Sequence, residues 1–131
     1  MTQNEIVSYW IKKAQVEIKS ANIMYKAKQY LYTGFMCHQS IEKALKAYYI
    51  FLNDEIQPHD HNLDNLIKIT GLADKLDGNQ KLTIKKLIPL YIKTRYEDYK
   101  NDISSLLTKP YCKTLLSETG ELLKWIIRLM R

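Results

Sequence analysis

The sequence predicts an all-α protein that forms a single domain over residues 1–131, and three observations lead to this prediction. The length suits one domain, which would bury about two-thirds of the surface that its unfolded chain exposes. Only four glycines and three prolines occur in the 131 residues, which favours long helices over frequent turns. Apolar residues recur at three- and four-residue steps over long segments, and this is the periodicity of helices with one buried face.

The clearest helical segment covers residues 33–52. Its apolar residues form an arc that is too wide for a surface helix, so we expect this helix to be buried. The arc consists of Cys37, Ile41, Ala44, Leu45, Tyr48 and Leu52, and it is widened by Ala47 and Phe51.

The opposite side of the same segment carries a narrow polar row. The row consists of His38, Glu42 and Lys46 at steps of four, flanked by Gln39, Lys43 and Tyr49. One interpretation is a solvated face, on which Glu42 and Lys46 form an i,i+4 ion pair worth only ~0.2–0.5 kcal/mol. The other interpretation is that a polar row on a buried helix belongs to a functional site.

The first and third helices are placed by local signals. Residues 4–28 form the first helical pattern, with Asn4 as its cap, and the short turn over residues 29–34 makes the first two helices antiparallel neighbours. Pro58 blocks helix continuation in the polar loop that follows residue 52. The third helix should therefore begin at His61 or Asn62, and we expect it to end around residues 76–79.

The second half of the chain contains two further helical patterns. One covers residues 80–92, and we expect a kink or an end near Ile88 because Pro89 removes a backbone donor. Residues 91–102 have no clean period. Pro110 suits the first turn of the last helix, with Thr108 or the next residue near its cap.

Composition narrows the class of partner and the cellular location. A formal net charge of +6 and a pI near 9.2 favour polyanionic partners such as RNA or a nucleotide. Cys37 and Cys112 lack the spacing of a zinc or redox site, so both should be reduced and structural. The chain has no basic start followed by an apolar run, and its longest uncharged stretch is too short to span a bilayer. We expect a cytoplasmic protein without a membrane segment.

The sequence offers little sign of a metal, a cofactor or a nucleophile. His59, Asp60 and His61 could offer a cation three ligands, but further ligands are missing, so neither a metal nor a cofactor is expected. A Gly-rich phosphate loop and a G-x-S-x-G motif are both absent from the sequence.

A basic segment over residues 81–100 remains as a chemical candidate. Six cationic residues there are interleaved with Tyr91, Tyr96 and Tyr99. Cations hold phosphates and tyrosines stack on bases, which are the usual ingredients of nucleic-acid or nucleotide binding. The alternative is a solvated lysine face with tyrosines packed inward.

The first helical segment carries a second, thinner apolar stripe. Tyr9, Val16 and Ile23 repeat at seven residues on a side of the helix that its main apolar face does not use. They are either part of a partner surface, in or beside a homodimer interface, or scattered surface residues of the kind found on most proteins.

Three motifs together resemble the HEPN domain family. Residues 37–47, Cys-His-Gln-Ser-Ile-Glu-Lys-Ala-Leu-Lys-Ala, are similar to its Gln-x-x-Glu-Lys-x-x-Lys-Ala signature. His61, followed by Leu63 and Leu66, is similar to its His-x-Leu-x-x-Leu element, and residues 91–96 are similar to its Tyr-x-x-x-Arg-Tyr stretch. Trp10 and Ala14 fit its opening helix, so the resemblance spans most of the chain in the correct order.

The resemblance implies an up-and-down bundle of four helices with an additional short helix, commonly in a homodimer. It also implies one of two functions. Some HEPN proteins are metal-independent ribonucleases with an Arg-x(4–6)-His motif, often encoded beside a minimal nucleotidyltransferase that acts as antitoxin. Others are nucleotide-binding or accessory modules.

This sequence departs from the ribonuclease pattern. The positions that follow Arg95 with four to six intervening residues hold Lys100, Asn101 and Asp102, and none of these replaces an imidazole that moves protons near neutral pH. We therefore favour a nucleotide- or RNA-binding accessory subunit, without assigned catalytic residues, that acts with a minimal nucleotidyltransferase. The alternative is a metal-independent ribonuclease toxin that uses Arg95 with His38 or His61 as a non-standard base. The candidate ligand-binding residues are Gln39, Glu42, Lys43, Lys46, Arg95 and Tyr96.

Overall fold

The computed structural model describes residues 1–92 and 103–131, and all regular structure within these ranges is helical. The helices are α1 (Gln3–Lys26), α2 (Tyr30–Asn53), α3 (Leu63–Ile69), α4 (Gly78–Leu87) and α5 (Lys109–Arg128), with short 3₁₀ turns at Leu72–Asp74 and Ile88–Leu90. The predicted all-α bundle, with four longer helices and one short helix, is confirmed.

Side chains just outside the helices determine where several of them begin. Thr2 caps α1, because its hydroxyl accepts from the backbone N–H of Glu5 at 3.2 Å and the Glu5 carboxylate reaches back to Thr2. The prediction that Asn4 caps this helix is therefore wrong. Asn62 caps α3 and Thr108 caps α5, and each is one of the two residues that the sequence offered for that helix start.

The third and fourth helices differ from the predicted bounds. α3 ends at Ile69 and not around residues 76–79, because Gly71 adopts a left-handed conformation with φ 72° and turns the chain. Asp77 then opens α4 through a capping box of its own. The predicted end near Ile88 is confirmed, and the 3₁₀ turn that follows contains Pro89.

The first two helices form an antiparallel hairpin, as predicted. Ser40 Oγ donates to the carbonyl of Ala14 at 2.8 Å, and Gln3 Nε2 donates to the carbonyl of Ile50 at 2.9 Å. These bonds join the start of α1 to the end of α2 and the middle of one helix to the middle of the other. The connection over residues 27–29 is shorter than the turn expected from the sequence.

α2 lies at the centre of the fold and packs against the four other helices. Most of its predicted apolar arc is buried, namely Cys37, Ile41, Ala44, Leu45, Tyr48 and Ala47. Leu52 and Phe51 are 48% and 39% exposed, so the prediction that they are buried is wrong. Periodicity identifies the side of a helix that faces the core, but it cannot say where along the axis the neighbouring helices stop.

The core contains a close contact at Gly34 and two buried thiols. Gly34 allows close packing, since a Cβ there would lie 3.1 Å from the side chain of Leu107 and 3.2 Å from that of Leu90. Cys37 and Cys112 are free and buried, and burial raises their pKa values to about 12 and about 11. Both thiols therefore behave as small apolar side chains.

Candidate functional site

Glu42 and Lys46 form a buried ion pair in the middle of α2. Glu42 Oε2 lies 3.0 Å from Lys46 Nζ, and the two side chains are 3% and 8% exposed. The interpretation of the polar row as a solvated face is therefore wrong for these two residues. Burial removes the water that would screen the attraction, so each charge depends on the other for its stability inside the protein.

The loop before α3 brings a histidine to this carboxylate. Asp60 accepts hydrogen bonds from the backbone N–H of Asn62 at 2.9 Å and from Asn65 Nδ2 at 3.1 Å, which holds the loop against the start of α3. His61 lies between these anchors. Its Nδ1 is 3.0 Å and 3.1 Å from the two carboxylate oxygens of Glu42.

This contact determines the tautomer of His61. An ionised carboxylate only accepts hydrogen bonds, so Nδ1 carries the proton and donates it to Glu42. Nε2 of the neutral ring is then the nitrogen that can accept a proton. The His61 side chain is 53% exposed. The ring is therefore held in one orientation by a buried carboxylate while remaining accessible from solvent.

Tyr91 covers one face of this imidazole. It follows the turn at Pro89 in an extended conformation, with φ −68° and ψ 123°. Its ring stacks on His61 at 4.7 Å between centroids with an interplanar angle of 17°, and it lies 5.2 Å from the ring of His38. Desolvation raises the pKa of Tyr91, and the negative charge of Glu42 adds to this effect. Tyr91 therefore remains a neutral phenol at neutral pH.

His38 lies beneath these groups and is almost fully buried. Its Nδ1 is 3.1 Å from Gln39 Oε1 and 3.8 Å from Glu42 Oε1. Burial lowers the pKa of His38, whereas the hydrogen bond to Gln39 and the charge of Glu42 act in the opposite direction without overcoming it. His38 is therefore uncharged at neutral pH.

These residues form a single group, which we name the Glu42 cluster. It consists of His38, Glu42, Lys46, His61 and Tyr91, from α2, the loop before α3 and the segment after α4. One buried carboxylate is shared by a buried ammonium group and a half-exposed imidazole that stacks on a tyrosine. The group can present a fixed imidazole and an aromatic ring to a ligand while its buried charges compensate each other.

The structure places four of the six predicted ligand-binding residues. Glu42 and Lys46 belong to the Glu42 cluster, and Gln39 touches it through His38. Lys43 contacts α1 instead, where its Nζ lies 3.1 Å from Glu17 Oε1.

The other two predicted ligand-binding residues, Arg95 and Tyr96, lie outside the described residues. The expectations for residues 97–102 fall there as well. Tyr91 precedes Arg95 by four residues in the sequence and belongs to the Glu42 cluster.

Three members of the cluster were not among the predicted ligand-binding residues. His61 stands in the His-x-Leu element and Tyr91 opens the Tyr-x-x-x-Arg-Tyr stretch, so the motifs had already singled out both positions. His38 precedes Glu42 by four residues in the polar row. The sequence lacked any sign that His61 and Tyr91, which are distant from Glu42 along the chain, would lie beside its carboxylate.

A separate groove of about 490 Å³ lies between α4 and α5 and includes no residue of the Glu42 cluster. Its charged lining consists of Asp77, Glu118, Glu121 and Arg128, with Glu118 paired to Lys86, and this slight excess of carboxylates does not suit a polyanion. Within residues 1–92 and 103–131, no group of three or more His, Cys, Asp or Glu side chains is placed to hold a metal ion. In the same two ranges, no helix has the length and apolar character needed to cross a membrane.

Comparison with known proteins supports the resemblance seen in the motifs. Two solved structures share the fold: the crystal structure of ST0689, described as an archaeal HEPN homologue, and that of TT1696 from Thermus thermophilus. ST0689 is 20% identical with a TM-score of 0.75, over 95% of this chain and 98% of its own. TT1696 is 20% identical with a TM-score of 0.73, over 93% of this chain and 96% of its own. No curated protein matches.

The sequence itself also matches a protein-family model over nearly its whole length. This model is that of the HEPN domain, and it matches residues 7–129. That range includes every motif on which the resemblance was based. The chain therefore belongs to the HEPN domain family.

Proposed function

We propose that this chain is a nucleotide- or RNA-binding accessory subunit that acts with a minimal nucleotidyltransferase in a two-component system of the toxin-antitoxin kind. The observation that carries the proposal is the state of His61. A buried carboxylate fixes its ring, a tyrosine stacks on one face, and more than half of the side chain is exposed. An imidazole held in this way offers a phosphate a hydrogen-bond donor when protonated, and it lies beside a ring on which a base can stack.

The buried ammonium group explains how a phosphate can approach a site built on a carboxylate. Glu42 alone would repel a phosphate, but Lys46 Nζ lies 3.0 Å from its Oε2 and compensates its charge. The chain as a whole also favours an anion, since its formal net charge is +6. In this proposal Arg95 and Tyr96 contribute a further cation and a further aromatic ring to the site that binds the ligand.

Fluorescence anisotropy of a labelled single-stranded RNA and a labelled adenine nucleotide tests the binding. His61→Asn removes the exposed imidazole, and His59→Asn is its matched control, since His59 is an exposed histidine in the same loop. We expect wild-type binding to weaken as salt rises, with a log–log slope of about −0.7 for each phosphate neutralised on a single strand. His61→Asn should weaken binding roughly five-fold or more, and His59→Asn should leave it unchanged. Equal binding by both variants would remove the Glu42 cluster from the proposal.

The expected assembly is a homodimer that associates with the nucleotidyltransferase. Sedimentation velocity at tens of micromolar measures the first association, and a monomer at that concentration would contradict it. A small nucleotidyltransferase reading frame beside this one would support the second. Copurification of the two coexpressed proteins through a tag on one of them provides the direct measurement.

A specific contact favours metal-independent RNA cleavage as a second candidate function. The carboxylate of Glu42 binds Nδ1 of His61, which is how acid–histidine pairs in hydrolases orient the ring and leave Nε2 as the base. Nε2 would take the proton of an RNA 2′-hydroxyl, and O2′ would attack the adjacent phosphorus as the bond to O5′ breaks and O5′ takes a proton from water. The products would be a 2′,3′-cyclic phosphate and a 5′-hydroxyl, with Arg95 holding the phosphate charge.

An RNA cleavage assay in the presence of a metal chelator distinguishes the two candidate functions. The protein is purified without any nucleotidyltransferase and incubated with cellular RNA, beside His61→Asn, His59→Asn and Arg95→Ala. The accessory function predicts intact RNA in all four reactions. Cleavage by the wild type and His59→Asn that is lost in the other two variants would establish the ribonuclease instead.

A further inference from the structure

The outer face of α1 exposes a regular apolar stripe. Tyr9, Val16 and Ile23 are 48%, 60% and 63% exposed and repeat every seven residues. The buried residues of this helix are Val7, Ala14 and Ala21, which also repeat every seven residues on the side that faces α2. At 100° per residue the two sets lie on opposite sides of the helix. The stripe therefore cannot be part of the core of its own chain.

Lysines accompany the stripe along its whole length. Lys12, Lys19 and Lys26 each follow a stripe residue by three positions and are exposed. Residues three apart are neighbours on a helix surface, so an apolar side chain and a lysine alternate in a repeating pattern. On the other side of the stripe, Lys13 Nζ lies 5.1 Å from the centre of the Tyr9 ring. We name this surface the α1 face.

The two carboxylates of α1 do not neutralise these lysines. Glu5 is engaged in the capping box with Thr2 at the helix start. Glu17 forms its ion pair with Lys43 of α2, at 3.1 Å. Four lysines of α1 therefore lie beside the apolar stripe with a net positive charge, and this charge is complementary to an acidic partner.

We propose that the α1 face is a docking surface for an acidic amphipathic helix of a different protein. An apolar side chain every seven residues stays on one side of a helix along its length, so a second helix can lie along the stripe at a small crossing angle. Such an occupant would place apolar residues against Tyr9, Val16 and Ile23, and carboxylates against the lysines on either side. This inference does not depend on the ligand of the Glu42 cluster.

A second copy of the chain fits this surface less well. In an antiparallel two-fold pairing the row of Lys12, Lys19 and Lys26 would face the same row of the other copy, and in a parallel pairing it would face the flank of the stripe that holds Lys13. Like charges opposed in this way cost affinity. RNA is also a poorer occupant, because the aliphatic side chains of Val16 and Ile23 offer no aromatic ring on which a base could stack.

The probe is a designed, fluorescein-labelled helical peptide of four heptads, with leucine every seven residues and glutamate beside each leucine. Its control peptide has lysine in place of every glutamate. The protein variant is Lys12→Glu/Lys19→Glu/Lys26→Glu. Its matched control, Lys109→Glu/Lys113→Glu/Lys124→Glu, changes the net charge equally at three exposed lysines elsewhere. Both variants alter only exposed side chains, and circular dichroism and thermal melting check that each is folded.

We expect the acidic peptide to bind the wild type and the control variant, and to lose roughly ten-fold or more in affinity for the α1 variant. The basic peptide should show the reverse preference and bind the α1 variant best. The proposal is overturned if the acidic peptide does not bind, or if the two triple variants lose equal affinity.

Two further measurements decide between the proposed occupant and the others. In sedimentation velocity, a wild-type dimer that Val16→Glu converts to a monomer would assign the α1 face to a second copy and overturn the proposal. A labelled single-stranded RNA that loses affinity for the α1 variant only, while the acidic peptide does not bind, would assign it to nucleic acid. An unchanged oligomeric state and equal RNA binding by both triple variants support the helical partner.

Discussion

The Glu42–Lys46 pair provides the most direct test of the structure, through the change Glu42→Gln. Glutamine has nearly the size and helix propensity of glutamate but lacks its charge, so the change leaves the ammonium group of Lys46 buried without a counter-charge. The two side chains are 3% and 8% exposed and 3.0 Å apart. At such burial water cannot replace the lost partner.

The expected loss in free energy of unfolding follows from this burial. Removing one member of a buried ion pair destabilises proteins by about 3–5 kcal/mol, and the glutamine amide oxygen can still accept from Lys46, so we expect about 3 kcal/mol. An unfolding entropy of about 2.1 cal/mol/K per residue then predicts a fall in Tm of about 11 °C for this chain. Lys46→Met should have a similar effect, because it leaves the buried carboxylate without its ammonium counter-charge, although the contact with His61 remains.

A double-mutant cycle measures the pair itself. Urea unfolding at pH 7, followed by circular dichroism, provides the free energy of unfolding for the wild type, Glu42→Gln, Lys46→Met and the double variant. The double variant contains neither buried charge. Its loss in free energy of unfolding should therefore be smaller than the summed losses of the two single variants, by a coupling energy of about 2 kcal/mol.

Asp64 and Lys68 provide the matched control. They form an ion pair at the same i,i+4 spacing, but their side chains are 61% and 70% exposed and the closest atoms are 4.0 Å apart. The same cycle, with Asp64→Asn and Lys68→Met, should give a coupling energy below about 0.5 kcal/mol. If the Glu42–Lys46 coupling is no larger than this, the argument from burial is refuted and the polar row behaves as a solvated face.

Three further predictions concern the packing, the pH dependence and the thiols. Gly34→Ala puts a methyl group 3.1–3.2 Å from two leucine side chains and should destabilise the protein by about 1–3 kcal/mol, whereas Gly120→Ala has no atom within 4 Å and should stabilise it by about 0.5–1 kcal/mol. Urea unfolding of the two variants checks this, and equal effects would contradict the close packing at Gly34. Because the folded pKa of His38 lies below its ordinary value of 6.5, the unfolded chain binds the proton more readily. Stability should therefore fall as the pH drops below about 6.5, by at most about 1.4 kcal/mol per pH unit from this group, and a His38→Gln variant that shows the same slope would exclude His38 as the cause. Cys37 and Cys112, with pKa values raised to about 12 and about 11, should not react with a thiol reagent at pH 8 until the protein is unfolded, and rapid labelling of the folded protein would show that they are accessible.

The local parts of this structure were predictable from the sequence. Pro89 ends a helix because proline lacks a backbone donor, and Thr108 and Asn62 cap helices because their side-chain oxygens accept from the first turn. The wrong cap at Asn4 has the same kind of explanation, since the Thr2-x-x-Glu5 spacing was a readable capping box. The HEPN motifs pointed to the family correctly.

The candidate site was only partly predictable. The four-residue steps of the polar row put Glu42 and Lys46 side by side, and the motifs drew attention to His61 and Tyr91. The burial of the pair and the bond from His61 to Glu42 were not predictable, and Leu52 was placed in the core although it is 48% exposed.

The physical reason is that helix geometry relates residues close together in the sequence, whereas burial depends on residues far apart in the sequence. The rise and rotation of a helix fix which side chains of α2 are neighbours, and this relation is present in the sequence itself. Whether those neighbours lie in water or inside the protein depends on what other parts of the chain bring against them. The loop before α3 and the segment after α4 carry His61 and Tyr91 onto Glu42. The sequence by itself determined which segments are helical and the Glu42–Lys46 spacing, and only the tertiary structure decided that this pair is buried and bound to a half-exposed histidine.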